Sequence, residues 1–376
     1  MNMDLETAGM LRDSASRYAA DNYSFLQRHT VLTDPAGYSE KAWRDYAELG
    51  WLALRLPESH GGLEADPLAV GALMEVVGSR LLMEPVLASA LVCTGLLRSQ
   101  GSAAQQDALL PLLADGSVKL AFADAEAAGS SNCEVRAGRI SGRKIAVLHG
   151  DVADRLIVSA VDADHGGERR LFLVDARSDE IDALRYRLVD GRGAANLRFA
   201  GVPAERLVPD DGMSAQAAVA EVLDHATVAS CAEALGIVRA LVATTCEYLK
   251  IRKQFGRPIG TNQALQHRAV DMFLLQEEIA ALTRAAQEAL SLPAAERARI
   301  VCGAKAYVCT AARHVANEAV QMHGGLGITE ELDVSHYFRR LMVNAALFGS
   351  RDEHFARFLA ATANPNPHPT PEGIPA

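Results

Sequence analysis

Two short segments carry groups able to grip an anion. The first is Arg252-Lys253-Gln254-Phe255-Gly256-Arg257-Pro258-Ile259, and the second is Gln321-Met322-His323-Gly324-Gly325-Leu326-Gly327. An arginine presents a planar fork matched to phosphate, and a phenylalanine offers a flat face to an adenine. Paired glycines let backbone N–H groups approach a pyrophosphate or ribose closely. The amides of Gln263 and Gln321 suit a base or sugar edge, and His323 suits either a ribose contact or a helix cap. Taken singly, each piece describes only a cationic helix end with a glycine cap. Taken together, in this order, they predict a nucleotide-holding site.

Both segments need long helices to aim them. Residues 4 to about 115 read as helices, with Leu5, Met10, Leu11 and Tyr18 on one face and Pro67 to Val86 giving another segment. Trp43 and Trp51 read as packing between these helices. From Val118 to about Pro209 the signal is short strands. Arg139 to Val147 reads as a hairpin turning at Gly142, and Leu156–Ala160 and Leu171–Val174 are apolar strand runs. From Met213 the chain is helical again. Ala215–Leu249 is one long Ala/Val/Leu segment with a stop near Pro258, followed by helices over 262–291, 294–322, about 335–347 and about 352–362. Long helices with short links predict an antiparallel bundle. The division expected is α-helical over 1–116, β over 117–211 and helical over 212–363, with a Pro-rich disordered tail over 364–376.

Composition limits the function. The chain has 376 residues, 49% of them hydrophobic, and a formal net charge of -10. That is long enough for two or three packed units, and the acidity argues against nucleic acid and anionic membrane surfaces. The six cysteines form no CxxC pair and read as buried free thiols. No HExxH-type spacing occurs, so no metal is expected. The N-terminus lacks a basic segment followed by an apolar core, and no uncharged run reaches the ~18 residues of a membrane span. A soluble cytoplasmic protein is the expectation.

The two motifs, with Gln263 and the helix–β–helix order, resemble the acyl-CoA dehydrogenase family over essentially residues 4 to 362. The resemblance implies an α+β fold: an N-terminal helical domain, a middle β-barrel-like domain and a C-terminal four-helix bundle. It also implies FAD, with Arg252, Gln254, Phe255, Gln263, Gln321, Gly324 and Gly325 holding the ADP half of a flavin whose ring lies in the neighbouring subunit. An acyl-CoA substrate, an electron-transfer flavoprotein as acceptor, and a dimer or dimer of dimers follow from the same resemblance.

The chain departs from that pattern where chemistry should occur. Family members meet the flavin ring with a Thr-Glu-Pro-type strand and a Trp-Ile-Thr/Ser run. Here the Thr slot reads Asp124 in Phe122–Ser130, the Trp slot Ala146 and the hydroxyl slot Leu148. Abstracting a proton α to a thioester needs a desolvated carboxylate. The family's usual Glu slot is Phe348, and the minority slot on the long helix is Ala226, beside His225 and Thr227. Asp352, Glu353, Glu221 and Asp224 lie nearby as weaker candidates. Acids at 352 and 353 also suit the positive end of a helix.

Val147-Leu148-His149-Gly150-Asp151, Ser335-His336-Tyr337-Phe338-Arg339-Arg340 and Leu347-Phe348-Gly349-Ser350 resemble the smaller subunits of bacterial acyl-CoA dehydrogenases for pimeloyl-type and steroid side-chain CoA esters. The steroid-degrading members are α2β2 assemblies with one FAD site per unlike pair. Arg339-Arg340 suits either a CoA phosphate or a solvated helix face. Three readings follow: the base-lacking subunit of a heteromeric dehydrogenase, a self-sufficient homo-oligomer with a relocated carboxylate, and a non-catalytic scaffold of the same fold.

Overall fold

The computed structural model describes residues 2–127, 129, 132–209 and 212–363. Ala128 and Ser130 of the Asp124–Ser130 stretch, and the Pro-rich tail, lie outside the described residues. The N-terminal helices are α1 (Asn2–Asn22), α2 (Phe25–Thr33), α3 (Glu40–Glu48), α4 (Pro67–Ser79), α5 (Thr94–Gln100) and α6 (Ala103–Ala114), and a π-helical segment, Val86–Cys93, leads into α5. Asp66 caps α4, with Pro67 at its first turn, where a missing N–H costs nothing. Trp43 and Trp51 are buried between these helices, as expected, and Trp43 Nε1 donates to the Gly116 carbonyl at 2.9 Å.

Eight strands follow: β1 (Leu120–Ala123), β2 (Glu134–Arg136), β3 (Arg139–Leu148), β4 (Arg155–Asp162), β5 (Glu168–Asp175), β6 (Ile181–Arg187), β7 (Gly193–Pro203) and β8 (Glu205–Arg206). Their order is β6-β7-β3-β2-β4-β5-β8, and β1 pairs in parallel with β4. The expected turn at Gly142 is corrected: Gly142 lies inside β3, and the β2–β3 chain reverses at Ala137-Gly138, both at positive φ. Gly142 marks close approach instead. A side chain there would meet the Cys133 backbone at 2.7 Å, the usual reason for glycine inside a strand.

The C-terminal part begins with α7 (Ala215–Ile251), 37 residues capped by Ser214. The hairpin β9 (Lys253–Gln254)–β10 (Arg257–Pro258) leads from it to α8 (Gln263–Ala289), α9 (Ala294–His323), α10 (Asp333–Asn344) and α11 (Arg351–Ala363). The most apolar window of α7 is long enough to cross a membrane, but 83% of it is buried inside the protein. It is a core helix. Gly236 lets α4 cross it closely, since a side chain there would lie 1.9 Å from the Glu75 carbonyl oxygen.

A fully buried ion cluster joins the three parts. Glu233 on α7 accepts from Arg340 Nε at 2.8 Å and Nη2 at 2.6 Å, and from Arg192 Nη2 at 3.1 Å. Asp190, in the β6–β7 turn, accepts from Arg340 Nη1 at 2.9 Å and Arg192 Nη1 at 3.1 Å. From the N-terminal side, Arg28 donates to the Leu81 and Asp190 carbonyls, and Arg192 to the Leu82 carbonyl. Arg340 is therefore neither on a solvated face nor free for a CoA phosphate, and that expectation is corrected. Burial alone would raise both carboxyls, but the arginines hold Glu233 below its usual range and bring Asp190 down to about 2.

Removing one partner from a buried pair leaves an uncompensated charge, which costs ~3–5 kcal/mol. We expect Arg340→Met to lower the unfolding free energy by about that amount, read from urea unfolding at neutral pH. A loss below about 1 kcal/mol would show the cluster to be energetically idle. Beside it, burial and then Arg192 and Arg340 lower His149 to about 3. Its ordinary value is ~6.5, so neutral His149 contributes stability in full above that pH. This contribution falls away as pH drops towards 3, at up to ~1.4 kcal/mol per pH unit. His149→Asn, which tolerates the same left-handed backbone, should flatten the decline in urea midpoint between pH 6 and 4. An unchanged slope would assign the acid sensitivity to other groups.

Candidate functional site

The end of α7 and the end of α9 meet in one groove. Arg252 terminates α7 with its N–H on the Tyr248 carbonyl, and the chain then reverses through Phe255-Gly256, both at positive φ. Two successive positive-φ residues are what a twisted two-residue hairpin requires. Gly324 ends α9 at φ 61°, which suits glycine. The groove, about 440 Å³, takes in Arg252, Gln254, Gln321, Gly324 and Gly325, together with Tyr248 and His323. Five of the seven residues anticipated for the ADP end are thus together. Phe255 is fully exposed at the hairpin tip, and Gln263 opens α8; neither lines this groove.

Tyr248 was missed, although it lies one helical turn before Arg252, on the same face. It stacks on His323 with ring centroids 4.3 Å apart. His323 is buried, with Nδ1 2.8 Å from the Ala319 carbonyl oxygen, so it braces the helix end. The Arg252 guanidinium makes no hydrogen bond or ion pair with the described residues, and no atom lies within 4 Å of where a side chain on Gly324 or Gly325 would begin. A free guanidinium over an open glycine cradle fits the phosphate-bearing end of a dinucleotide.

A second cavity, about 770 Å³, lies between the sheet and the α10–α11 loop. Every departure noted for the ring end lines it: Asp124, Ala146, Leu148 and Phe348. Ala146 and Phe348 both have positive φ, at 52° and 61°, a cost concentrated at one site. Asp124 and Glu353 are the only ionisable side chains among the described lining residues, and both are engaged. The Asp124 carboxylate accepts from Ser159 Oγ at 2.5 Å and Arg169 Nη2 at 3.1 Å, and its carbonyl accepts from the buried Lys144 Nζ at 2.9 Å. The Ala146 N–H is already given to Asn196 Oδ1 at 2.9 Å.

Glu353 belongs to a helix cap. It accepts from the Ser350 N–H at 2.6 Å, while Ser350 Oγ accepts from the Glu353 N–H. The Ser350 amide holds its carboxyl below the usual range, whereas a general base needs a raised one. Asp352 is exposed and pairs with Arg351. Asp224 is buried against Arg297 Nε at 3.0 Å. Ala226 and Glu221 line a third cavity, between α4, α5 and α7.

Residues 6–117 match the acyl-CoA dehydrogenase N-terminal domain, and residues 212–361 match the acyl-CoA dehydrogenase C-terminal domain. The chain belongs to the acyl-CoA dehydrogenase family. It is 29% identical to acyl-CoA dehydrogenase IpdE2 of Mycobacterium tuberculosis, over 94% of this chain and 96% of that one. Among solved structures, it superposes on the Tcur3481-Tcur3483 steroid ACAD variant with TM-score 0.86 and 28% identity, covering 96% and 99% of the two chains. The fold also matches the ChsE4-ChsE5 complex from Mycobacterium tuberculosis at TM-score 0.86 and 22% identity, over 97% and 98%.

The Ser350–Glu353 cap generates a direct expectation. Glu353→Ala should cost ~0.5–2 kcal/mol, the usual worth of a capping interaction, read as a lower melting temperature. Glu353→Gln, which keeps an acceptor for the Ser350 N–H, should recover most of it. Equal losses in both variants would assign Glu353 a role that depends on its charge.

Proposed function

We propose that this chain is the base-lacking subunit of a heteromeric, FAD-dependent acyl-CoA dehydrogenase. The observation that carries the reading is the contrast between its two ends. The groove at Arg252, Gln321 and Gly324-Gly325 keeps a free cation over an open glycine cradle. The cavity at Asp124, Ala146, Leu148 and Phe348 offers no side-chain donor to a flavin ring and no free carboxylate to a substrate. The reaction is α,β-desaturation of an acyl-CoA thioester.

The chemistry FAD supplies when bound is acceptance of the hydride leaving the acyl β-carbon. This chain's part is positional. Arg252 neutralises a phosphate, the Gly324-Gly325 backbone gives close approach to the pyrophosphate or ribose, and Gln254 and Gln321 hold base or sugar edges. The family resemblance gives Phe255, exposed at the hairpin tip, and Gln263 to the same ADP half. The α-proton goes to a carboxylate of the paralogous partner subunit, because the slots here hold Phe348 and Ala226. Electrons then pass to an electron-transfer flavoprotein.

A bulky acyl group, of the steroid kind in the names of the structural relatives, agrees with the size and apolar lining of the larger cavity. An α2β2 assembly in the cytoplasm completes the proposal, consistent with six unpaired cysteines.

The test is the visible spectrum of the chain purified alone and co-expressed with a paralogous dehydrogenase subunit. We expect a colourless chain alone and a yellow, substrate-bleached complex. Arg252→Ala should lower flavin retention in that complex about tenfold or more, the worth of one charge-assisted phosphate contact. A chain that is yellow and bleached by acyl-CoA when alone would establish the self-sufficient reading. A colourless chain with no activity beside any partner would leave the scaffold.

A further inference from the structure

Three carbonyls at the turn from α10 into α11 are held by buried side chains. Lys305 Nζ donates to the Asn344 carbonyl at 2.8 Å, Cys309 Sγ lies 3.7 Å from the Ala345 carbonyl oxygen, and His354 Nε2 lies 3.2 Å from the Phe348 carbonyl oxygen. Cys302 stands behind the imidazole, with Sγ 3.4 Å from His354 Nδ1. Cys302, Lys305 and Cys309 are spaced i, i+3 and i+7 along α9, so one face of that helix carries a row of donors under the turn. All four side chains are buried.

The backbone of this turn needs such support. Phe348 and Gly349 both have positive φ, at 61° and 117°. For a bulky residue that conformation is sparsely populated and persists only where its surroundings over-determine it. His354 supplies the constraint. A side chain on Gly349 would begin 3.1 Å from His354 Nε2, so the imidazole rests directly against the glycine. Leu347, Phe348 and Gly349 line the larger cavity, and Phe348 also packs against the N-terminal core.

The neighbours of His354 dictate where its proton sits. A carbonyl only accepts, so Nε2 carries the hydrogen. Burial, and then Lys305 and Arg357, lower His354 to about 4. The ring is therefore neutral, and Nδ1 is a bare acceptor. Burial raises the Cys302 thiol, which keeps its hydrogen to donate. The chain of bonds runs from Cys302 S–H to Nδ1, and from Nε2–H to the Phe348 carbonyl. The other tautomer would set two lone pairs face to face at Phe348.

We propose that His354 is the positioning residue of the larger cavity: one tautomer of its ring, backed by Cys302, holds Phe348-Gly349 in the left-handed shape and so fixes Phe348 as a rigid wall. A fixed wall spares a bound apolar group the cost of ordering a mobile loop. That last consequence rests on the acyl-binding reading of the cavity, whereas the tautomer and the wall do not.

The test uses the full-length chain. Nitrogen NMR of histidine-labelled protein at neutral pH should show a protonated Nε2 and a bare Nδ1 for the ring whose signal is lost in His354→Gln. With 4-fluorophenylalanine in place of Phe348, fluorine NMR should give one line. His354→Leu should split it, the held form losing about two- to tenfold of its weight against the released one, the worth of one such hydrogen bond. His354→Gln, whose amide N–H reaches for the same carbonyl, should restore the single line. A protonated Nδ1, a fluorine line indifferent to His354→Leu, or equal splitting in both variants would each overturn the proposal. The nitrogen signature decides the matter even if His354→Leu does not fold. None of these readouts needs flavin or substrate, so their failure would leave the dehydrogenase reading standing, and failure of the flavin test would leave them unchanged.

Discussion

The buried pairing of Glu233 with Arg340, closed by Asp190 and Arg192, is the constraint on which the arrangement of the parts depends. It takes one residue from the middle of α7, one from α10 and two from the turn between β6 and β7. Four charges removed from water are costly unless each finds its partners. Here both Glu233 oxygens and Asp190 Oδ2 have guanidinium partners, Asp190 Oδ1 accepts from the Arg192 backbone N–H, and Asn344 adds a donor to Glu233 at 3.2 Å. The sign of the carboxyl shifts gives the balance. Desolvation is the largest single effect on both Asp190 and Glu233, yet both end below their usual range. Attraction to the two arginines therefore outweighs burial. Such a cluster tolerates only one relative placement of helix and sheet, so it specifies geometry more than it adds stability.

That geometry sets both ends of the site. Helix α7 is about 55 Å long at 1.5 Å per residue, and Glu233 lies near its midpoint. Fixing Glu233 fixes Tyr248 and Arg252 at one end and Leu223 at the larger cavity. Arg340 likewise anchors α10, whose C-terminal exit carries Leu347-Phe348-Gly349 into the same cavity. A single cluster thus holds the Arg252 groove and an apolar chamber in register. The Tyr248–His323 stack is a local version of the same device: it ties the last turns of α7 and α9, so the arginine and the glycine pair cannot drift apart.

Much of this was legible in the sequence because it is local. The Ala/Val/Leu run from Ala215, with Gly236 as its one glycine, defined α7 within two residues of its observed end at Ile251. The Arg252 and Gly324-Gly325 motifs were legible because helix ends obey position-specific chemistry. What failed was orientation. Arg339 and Arg340 are adjacent, and adjacent helical residues point ~100° apart. Nothing local says which one faces the core, and Arg340 does because Glu233 awaits it from a distant element. Gly142 was taken for a turn on the strength of its residue type. The turn went instead to Ala137-Gly138, and Gly142 answered a steric demand from Cys133.

At the larger cavity the ionisable groups are engaged by the protein's own bonds. The Asp124 carboxylate, in a slot where the family places a hydroxyl, would be repelled by an anionic or electron-rich neighbour. In this chain Ser159 and Arg169 engage it instead, and the Asp124 backbone carbonyl accepts from Lys144. Once those bonds form, they stabilise the sheet without any ligand. Lys144 is fully buried, and Glu126 at 2.6 Å is its carboxylate partner among the described residues. The groove at Arg252 has no such closure, because the guanidinium makes no ion pair with the described residues. An open groove at one end and a chamber whose ionisable lining residues are already engaged at the other give the chain one polar end and one apolar end.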